Sequence, residues 1–416
     1  MTAKDPGHLE NLSDEQQQAL RQMWAQLFDA LEKASAHNSE TSTQEIAEDA
    51  KLEAAEAKAP KSLIASVFRS RRNDDSSRSG TSGRSKSTTR KADEVDSFPV
   101  PKATLLEELF LLVAYDNPDA MVLRFLRARK WDVDAAIAML MQCIRWRIEF
   151  GVRSIMEGGE SLVSVTELSA GKGYFRGYDM KDRPCVFVRP RLHMKDDCDL
   201  AALEKFVVLT IESGRNMLKY PVETICLVFD MTDFGLRNMD YKLAKFMTSC
   251  LEAYYPESLG VALIVNAPWI FNGCWTIIQP WLDPVVASKI HFVKAAELAD
   301  YIPLSNLPAD LDGQDDYVFA YVPASESELK TVQELRADTS TKALRHQEWM
   351  MDIHAFMKIT QEWSASTQED TVKSLSVERS LASERVRMTF TALVPFIRSK
   401  TYLHRTGTVH EAGITY

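Results

Sequence analysis

The chain is poor in several things, and each shortage narrows its function. No apolar run approaches the ~20 residues a helix needs to cross a bilayer, so no membrane-spanning helix is expected in its 416 residues. Basic charge is in deficit. Lys and Arg number 49 against 59 Asp and Glu, a net charge of −10, which argues against general nucleic-acid binding. The six cysteines (Cys143, Cys185, Cys198, Cys226, Cys250, Cys274) show no C-x-x-C and no metal-ligand spacing. Several lie inside apolar runs, as reduced core cysteines do. The N-terminus, MTAKDPGHLENLSDEQQ, has no apolar signal core and carries early acids. Neither secretion nor mitochondrial import is signalled, so a cytosolic protein is expected.

Catalytic signatures are equally scarce. G-x-S-x-G, the hydrolase nucleophile elbow, is missing, and so are G-x-x-x-x-G-K-[ST] and a G-x-G-x-x-G after a strand. His193 and His291 have no partner at ligand spacing, and no metal site is expected. Asp230 ends an apolar run, Thr224–Phe229, and catalytic acids do sit at the carboxyl ends of parallel strands. Capping a turn there is the commoner role. An enzyme is therefore not expected.

What is present divides into four parts, 1–97, 98–155, 156–320 and 321–416. Residues 9–33 place Leu20, Met23, Trp24, Leu27, Phe28 and Leu31 at helical spacing, with Ser13 as cap. The polar face is acidic rather than basic, which favours packing on protein over lying on lipid. Residues 36–97 read as a linker. Its second half, RSRRNDDSSRSGTSGRSKSTTRK, holds eight basic and two acidic residues and too little apolar surface to fold. It is either a solvated tether or a phosphorylatable basic segment that touches anionic lipid.

Residues 103–151 form a helical unit. Leu105–Val113 is one helix, Pro118 and Asp119 open the next, Asp132 caps a third and Gly151 ends it. Arg124, Arg127, Arg129 and Lys130 give the second helix a basic side, read as mostly solvated. From Lys172 strands and helices alternate: a hairpin across DMKDRP, a helix from Asp199, the strand TICLVF, a helix from Asp240, then strands Val261–Val265 and Ile290–Val293. This α/β order implies a mixed, mostly parallel sheet. After Tyr321 the chain is helical again. Trp349, Met350, Ile353, Phe356, Met357 and Trp363 share a stripe over 343–363, and 381–397 gives a last helix bent or ended near Pro395. The closing RTGTVHEAGITY reads as a polar loop.

Between the last two strands lies an aromatic amphipathic piece, Trp269–Trp281, and two ionisable residues, Glu257 and Lys289, stand just before those strands. A two-chain lipid hides about 30 methylenes, each worth ~0.8 kcal/mol out of water. A carrier must offer a comparable apolar lining and a lid that opens at a membrane. Trp269–Trp281 has the composition of such a lid, or of plain core.

The motifs then resemble a known family. LRFLRARKWDVDAAIAML is similar to the N-terminal helical unit of the yeast-type CRAL-TRIO lipid-transfer proteins, and YPESLGVALIVNAPWIFNGCWTIIQPWLDPVVASKI to their central signature. GYDMKDRPCVFVRP and VFDMTDFGLRNMDY also match, so the resemblance covers about 103–318. The last motif and the helical extension are most similar to a fungal phosphatidylinositol-transfer branch distinct from the major phosphatidylinositol/phosphatidylcholine exchanger. The resemblance implies a CRAL-TRIO fold: a mixed five-stranded sheet floors an apolar pocket gated by a mobile helix, here within Asn266–Pro284. By motif, the phosphoinositide headgroup contacts fall on Arg129, Lys130, Glu257 and Lys289. Pocket and gate fall on Ile225, Leu227, Trp269, Phe271, Trp275, Ile278, Trp281 and Val286.

Ile225 and Leu227 stand where the exchanger carries small hydroxyl residues, and Val286 where it carries threonine. The expected function is non-enzymatic transfer of phosphatidylinositol, with a neutral apolar ligand (a sterol, sterol precursor or isoprenoid) as the alternative. A scaffold recruiting proteins through its terminal helices is a third reading. The ligand is a lipid and no other cofactor is implied. A cytoplasmic monomer is expected, transiently on endoplasmic reticulum or endosomal membranes.

Overall fold

The computed structural model describes residues 6–36, 100–195, 199–218 and 221–409. The linker beyond Ala36, Cys198 and the end of the chain past Val409 lie outside these residues.

Helix α1 (Asp14–Ala36) opens on a capping box, in which Ser13 Oγ accepts from Gln16 N at 3.3 Å and Gln16 Oε1 from Ser13 N at 3.0 Å. The stripe Leu20, Met23, Trp24, Leu27 and Leu31 is buried. It packs on α2 (Lys102–Val113), α3 (Pro118–Ala128) and α4 (Val133–Phe150). As the sequence implies, Asp132 Oδ1 caps α4, accepting from Ala135 N at 3.0 Å. Gly151 ends α4 in the left-handed region, at φ 76°. α3 opens at Pro118, as expected, and its cap is Asn117, whose Oδ1 accepts from Asp119 N at 2.8 Å. Short helices α5 (Val152–Gly158) and α6 (Val165–Ser169) lead into the sheet.

Five strands follow in spatial order β1-β2-β3-β4-β5: Gly173–Tyr178, Pro184–Val188, Ile225–Asp230, Leu259–Val265 and Ile290–Val293. β1 and β2 are antiparallel and every later pair is parallel. The expected mixed, mostly parallel α/β sheet is present. Helices α7 (Leu200–Gly214), α8 (Tyr241–Ser249), α9 (Phe271–Ile278) and α10 (Pro284–Ser288) connect the parallel strands. Alternation sorts the side chains. Tyr174, Cys185, Phe187, Cys226, Val228, Val261, Leu263 and Val265 pack one face against Leu298, Ile302, Leu307 and Leu311. Phe175, Val186, Leu227, Ala262 and Ile264 belong to the other.

Three further helices, α11 (Glu326–Ala337), α12 (Thr339–Ala365) and α13 (Glu369–Ile397), precede the short α14 (Tyr402–Arg405). α13 ends at Ile397, as expected, two residues past Pro395, but it starts twelve residues before the expected Leu381. Before Leu381 the helix turns only Arg379 fully inward, so no apolar stripe marks its start. Its buried positions, Arg379, Ala382, Val386, Phe390, Leu393 and Ile397, join Trp349, Ile353 and Phe356 of α12 and the α1 stripe in one cluster. Asp119 of α3 ties α1 and α13 together, accepting from Trp24 Nε1 at 2.7 Å and from Arg379 Nη2 at 2.7 Å and Nη1 at 3.0 Å. The two stripes that suggested partner recruitment are therefore buried in the protein's own core. Of the closing RTGTVHEAGITY, 406–409 form turns after α14, as a loop would, with Val409 buried beside Tyr402 and Leu403, and 410–416 lie outside the described residues.

Candidate functional site

β3 is the middle strand of five, yet Ile225 and Phe229 on it are only half-buried. Val188, Leu251, Val286 and Ile290, grouped on the same face, are also half-buried. The central strand of a closed layer should be covered completely. Above it, α8 buries only Tyr241, while 242–249 are all half-buried. Cover on this face of the sheet, from α8, α9, α10 and the segment around Tyr402, is thus incomplete, which makes it the candidate cleft. α8 continues as a π-helix over Cys250–Tyr254, a distortion frequent near functional sites.

The aromatic segment closes the cleft at the β4 and β5 side. Phe271 and Cys274 are buried against Met231, Phe234 and Ile264. Trp275 meets the edge of Phe292 with ring centroids 5.2 Å apart, and Trp281 meets Tyr241 at 6.2 Å. Ile278 is half-buried on the same helix. Trp269 is different: it is 70% exposed, at the outer mouth of the segment, and lines nothing. Ile225, Leu227 and Val286 do come together, in the cluster that floors the cleft.

Of the four expected headgroup residues, two meet directly. Lys289 Nζ stands 3.4 Å from Glu257 Oε2, each side chain about three-quarters buried. β5 pairs in parallel with β4 with Ile290 opposite Ala262, so Lys289 stands level with Val261 and its long side chain reaches back along β4 to Glu257. Arg129 and Lys130 end α3, where Lys130 and Trp131 take left-handed φ values of 53° and 69°. Arg129 acts on Glu252, whose carboxyl is pushed up by burial and drawn partly back by its bond from Asp283 N. That bond, Asp283 N to Glu252 Oε1 at 2.5 Å, ties the tail of the lid to the π-helix. Among the described residues no hydrogen bond or ion pair joins Arg129 or Lys130 to Glu257 or Lys289.

Arg124 and Arg127 are not the solvated basic side the sequence suggested. Arg124 is buried, and its Nη1 donates to Glu223 O at 2.9 Å and Glu257 O at 3.1 Å. It therefore holds the main chain of Glu257, a non-glycine residue at φ 54°, in place. Arg127 Nη2 donates to Glu223 Oε2 at 2.6 Å, and His8 Nδ1 lies 3.2 Å from Glu223 Oε1. Burial pushes the Glu223 carboxyl up, but His8, Arg124 and Arg127 outweigh it and hold it at about 2. Asp230 pairs with Arg191 and accepts from Thr232 N at 3.1 Å, so it caps its own turn. His193 lies 3.6 Å from Asp240, the cap of α8.

Behind the headgroup pair runs a deeper ionic network. Arg147 donates from Nε to Glu108 Oε1 at 2.6 Å and from Nη1 to Glu212 Oε1 at 2.5 Å. Tyr255 Oη donates to the same Glu212 oxygen at 2.9 Å, two residues before Glu257. Long-range partners leave no local spacing, so the sequence could not reveal them. The one available hint was arginine inside apolar runs, MVLRFLRA and IRWRI. The five described cysteines are free and buried, and the described residues hold no cluster of metal-ligating side chains.

Family models match two stretches of the chain. Residues 168–313 match the model of the CRAL/TRIO domain, and 73–142 that of the CRAL/TRIO N-terminal domain. The phosphatidylinositol transfer protein CSR1 of Eremothecium gossypii is 38% identical over 74% of this chain and 72% of its own. A CRAL-TRIO domain-containing protein of Schizosaccharomyces pombe, C3H8.02, is 35% identical over 71% of this chain and 66% of its own. The Sec14 cytosolic factor of Schizosaccharomyces pombe is 29% identical over 47% of this chain and 74% of its own.

Proposed function

Because the chain belongs to the CRAL-TRIO family, we propose that it binds phosphatidylinositol in its apolar cleft and transfers it between membranes, without catalysis. The observation that carries this reading is the Lys289–Glu257 pair at the lip of that cleft, 3.4 Å apart and partly withdrawn from water. A lysine there can hold the lipid phosphate, while the carboxylate accepts inositol hydroxyls and orients the cation. Arg129 and Lys130, at the end of α3, supply further positive charge toward the phosphate. The printed name of the Eremothecium relative supports the same ligand. Exposed Trp269, Leu236, Val285 and Phe292 lie on the lid and the elements beside it, and suit brief insertion at the headgroup boundary of a cytoplasmic membrane, endoplasmic reticulum or endosomal.

Transfer of labelled phosphatidylinositol between vesicles tests the proposal. The Lys130→Ala, Lys289→Ala double variant is expected to lose most transfer while unfolding at the temperature of the parent. Wild-type transfer by that variant removes the headgroup assignment.

A second reading rests on one observation. Every cleft-floor residue named above, Ile225, Leu227, Phe229, Val286 and Ile290 included, is purely apolar. Such a floor also suits a neutral ligand such as a sterol or isoprenoid. Native mass spectrometry of the purified protein separates the two, since recovery of neutral lipid alone favours the second.

A further inference from the structure

Phe175, Val186, Leu227, Ala262 and Ile290 stand level with one another across the five strands, and all lie on the cleft face. At ~4.8 Å per strand spacing this row is about 19 Å long, the scale of a long fatty acyl chain. Lys289 of the headgroup pair directly precedes Ile290, so the pair belongs to the β5 end of the row. The β1 end is covered by a distant part of the chain. Phe319 wraps the β1 edge, packing with the apolar residues of both faces, and its ring lies 5.8 Å from Tyr174. Tyr402 meets the edge of Phe319 at 5.7 Å, and Tyr402 and Leu403 are buried together with Phe175, Val186 and Leu227. The stretch that matches the CRAL/TRIO domain ends at residue 313, so this wall is added from outside it. It is also clamped from behind. Tyr402 N donates to Glu160 Oε1 at 2.6 Å, and Arg405 pairs with the same carboxylate. Arg405 Nε and Nη1 donate to Val322 O at 2.8 Å and Glu328 Oε1 at 2.9 Å. Charge-assisted bonds of this kind fix the segment's position.

Given the lipid reading above, on which this step rests, we propose that Tyr402 and Leu403 determine which lipids the cleft accepts. With the headgroup on Lys289 and Glu257, an acyl chain runs along the row and ends against these two side chains. A close-packed wall has no slack, so a chain too long for the row must displace a side chain or leave its last methylenes in water. The Tyr402 hydroxyl has no hydrogen-bond partner among the described residues, so the ring and not the hydroxyl is the stop.

The full chain is exchanged against vesicles holding equal amounts of phosphatidylinositols with short, intermediate and long acyl chains, and the bound lipid is read by native mass spectrometry. Headgroup and chain length are then separate readouts. Wild type is expected to take up the shorter chains in preference. Tyr402→Ala should shift uptake to longer chains, by about fourfold for each methylene newly admitted. Leu403→Val should shift it the same way by less. Arg405→Gln, which loosens the clamp and leaves the lining intact, should broaden the distribution, and Tyr402→Phe should match wild type. A wild-type length distribution in Tyr402→Ala and Arg405→Gln, each folded by circular dichroism and carrying phosphatidylinositol, overturns the length stop alone. Phosphatidylinositol missing from wild type and every variant removes the lipid reading, and the stop falls with it.

Discussion

Replacing Arg147 by methionine removes the guanidinium that Glu108 and Glu212 share, while leaving a side chain that fills much of its space. Both carboxylates are buried and sit within 2.6 Å of it. Arg215 and Arg398 remain, but 3.7 Å and 3.6 Å from Glu212 and not hydrogen-bonded to it. Breaking a buried pair from one side costs about 3–5 kcal/mol, because a charge is left uncompensated. The titration of Glu212 gives a second measure. Burial pushes this carboxyl up, yet Arg147, then Arg215 and Arg398, bring it down to about 2 from 4.5. That net lowering belongs to the three arginines together, so loss of Arg147 removes the largest part of it but not all. Against a typical stability of 5–15 kcal/mol the loss is severe. Urea unfolding followed by tryptophan fluorescence reads it directly. The triple variant Arg147→Met, Glu108→Gln, Glu212→Gln should regain most of the loss, since the stranded charges go with the guanidinium. A cost below about 1 kcal/mol for Arg147→Met, or a triple variant no better than the single, refutes a dry, tightly paired network.

Acid should unfold the protein partly through Glu212 and Glu223, both held at about 2. A lowered folded value gives stability that is complete above 4.5 and lost as pH falls toward 2. Circular dichroism against pH should therefore show a shallower acid loss in Glu223→Gln, and an unchanged profile counts against the pairing. Gly214→Ala should destabilise by roughly 1–3 kcal/mol, since its new methyl would meet the Phe175 ring at 2.2 Å; a neutral thermal shift shows that the ring yields. Asp132→Ala removes the α4 cap and should cost about 0.5–2 kcal/mol in the same assay. Trp269→Ala should leave the melting temperature alone and lower vesicle binding in a flotation assay. Equal flotation would show that the exposed indole does not touch lipid.

The alternation of strands and helices was legible because each element declares its period locally. Asp132, Ser13 and Gly151 act as their positions imply, and Ile290–Val293 is found where its apolar run lies. Glu257 and Lys289 could be paired in advance only through motif resemblance, since nothing in their separation speaks of parallel neighbours. What stayed hidden is long-range and ionic. Arg124 reads as a surface charge until Glu223 and Glu257 arrive from loops about a hundred residues later. The terminal stripes were visible as stripes, but a single helix does not announce what covers it. α13 misled in both directions: its early turns carry Arg379 inward and Val377 and Leu381 outward, the reverse of the usual pattern.

The burial of α1 against α12 and α13 has a consequence for synthesis. Trp24, Leu27 and Leu31 leave the ribosome early, and part of the surface they need begins at Thr339, some three hundred residues on. At roughly 5–20 residues per second the wait is about 15–60 s. During that interval α1 offers an uncovered apolar stripe to water, and nascent chains halted before α12 should be the ones that chaperones hold.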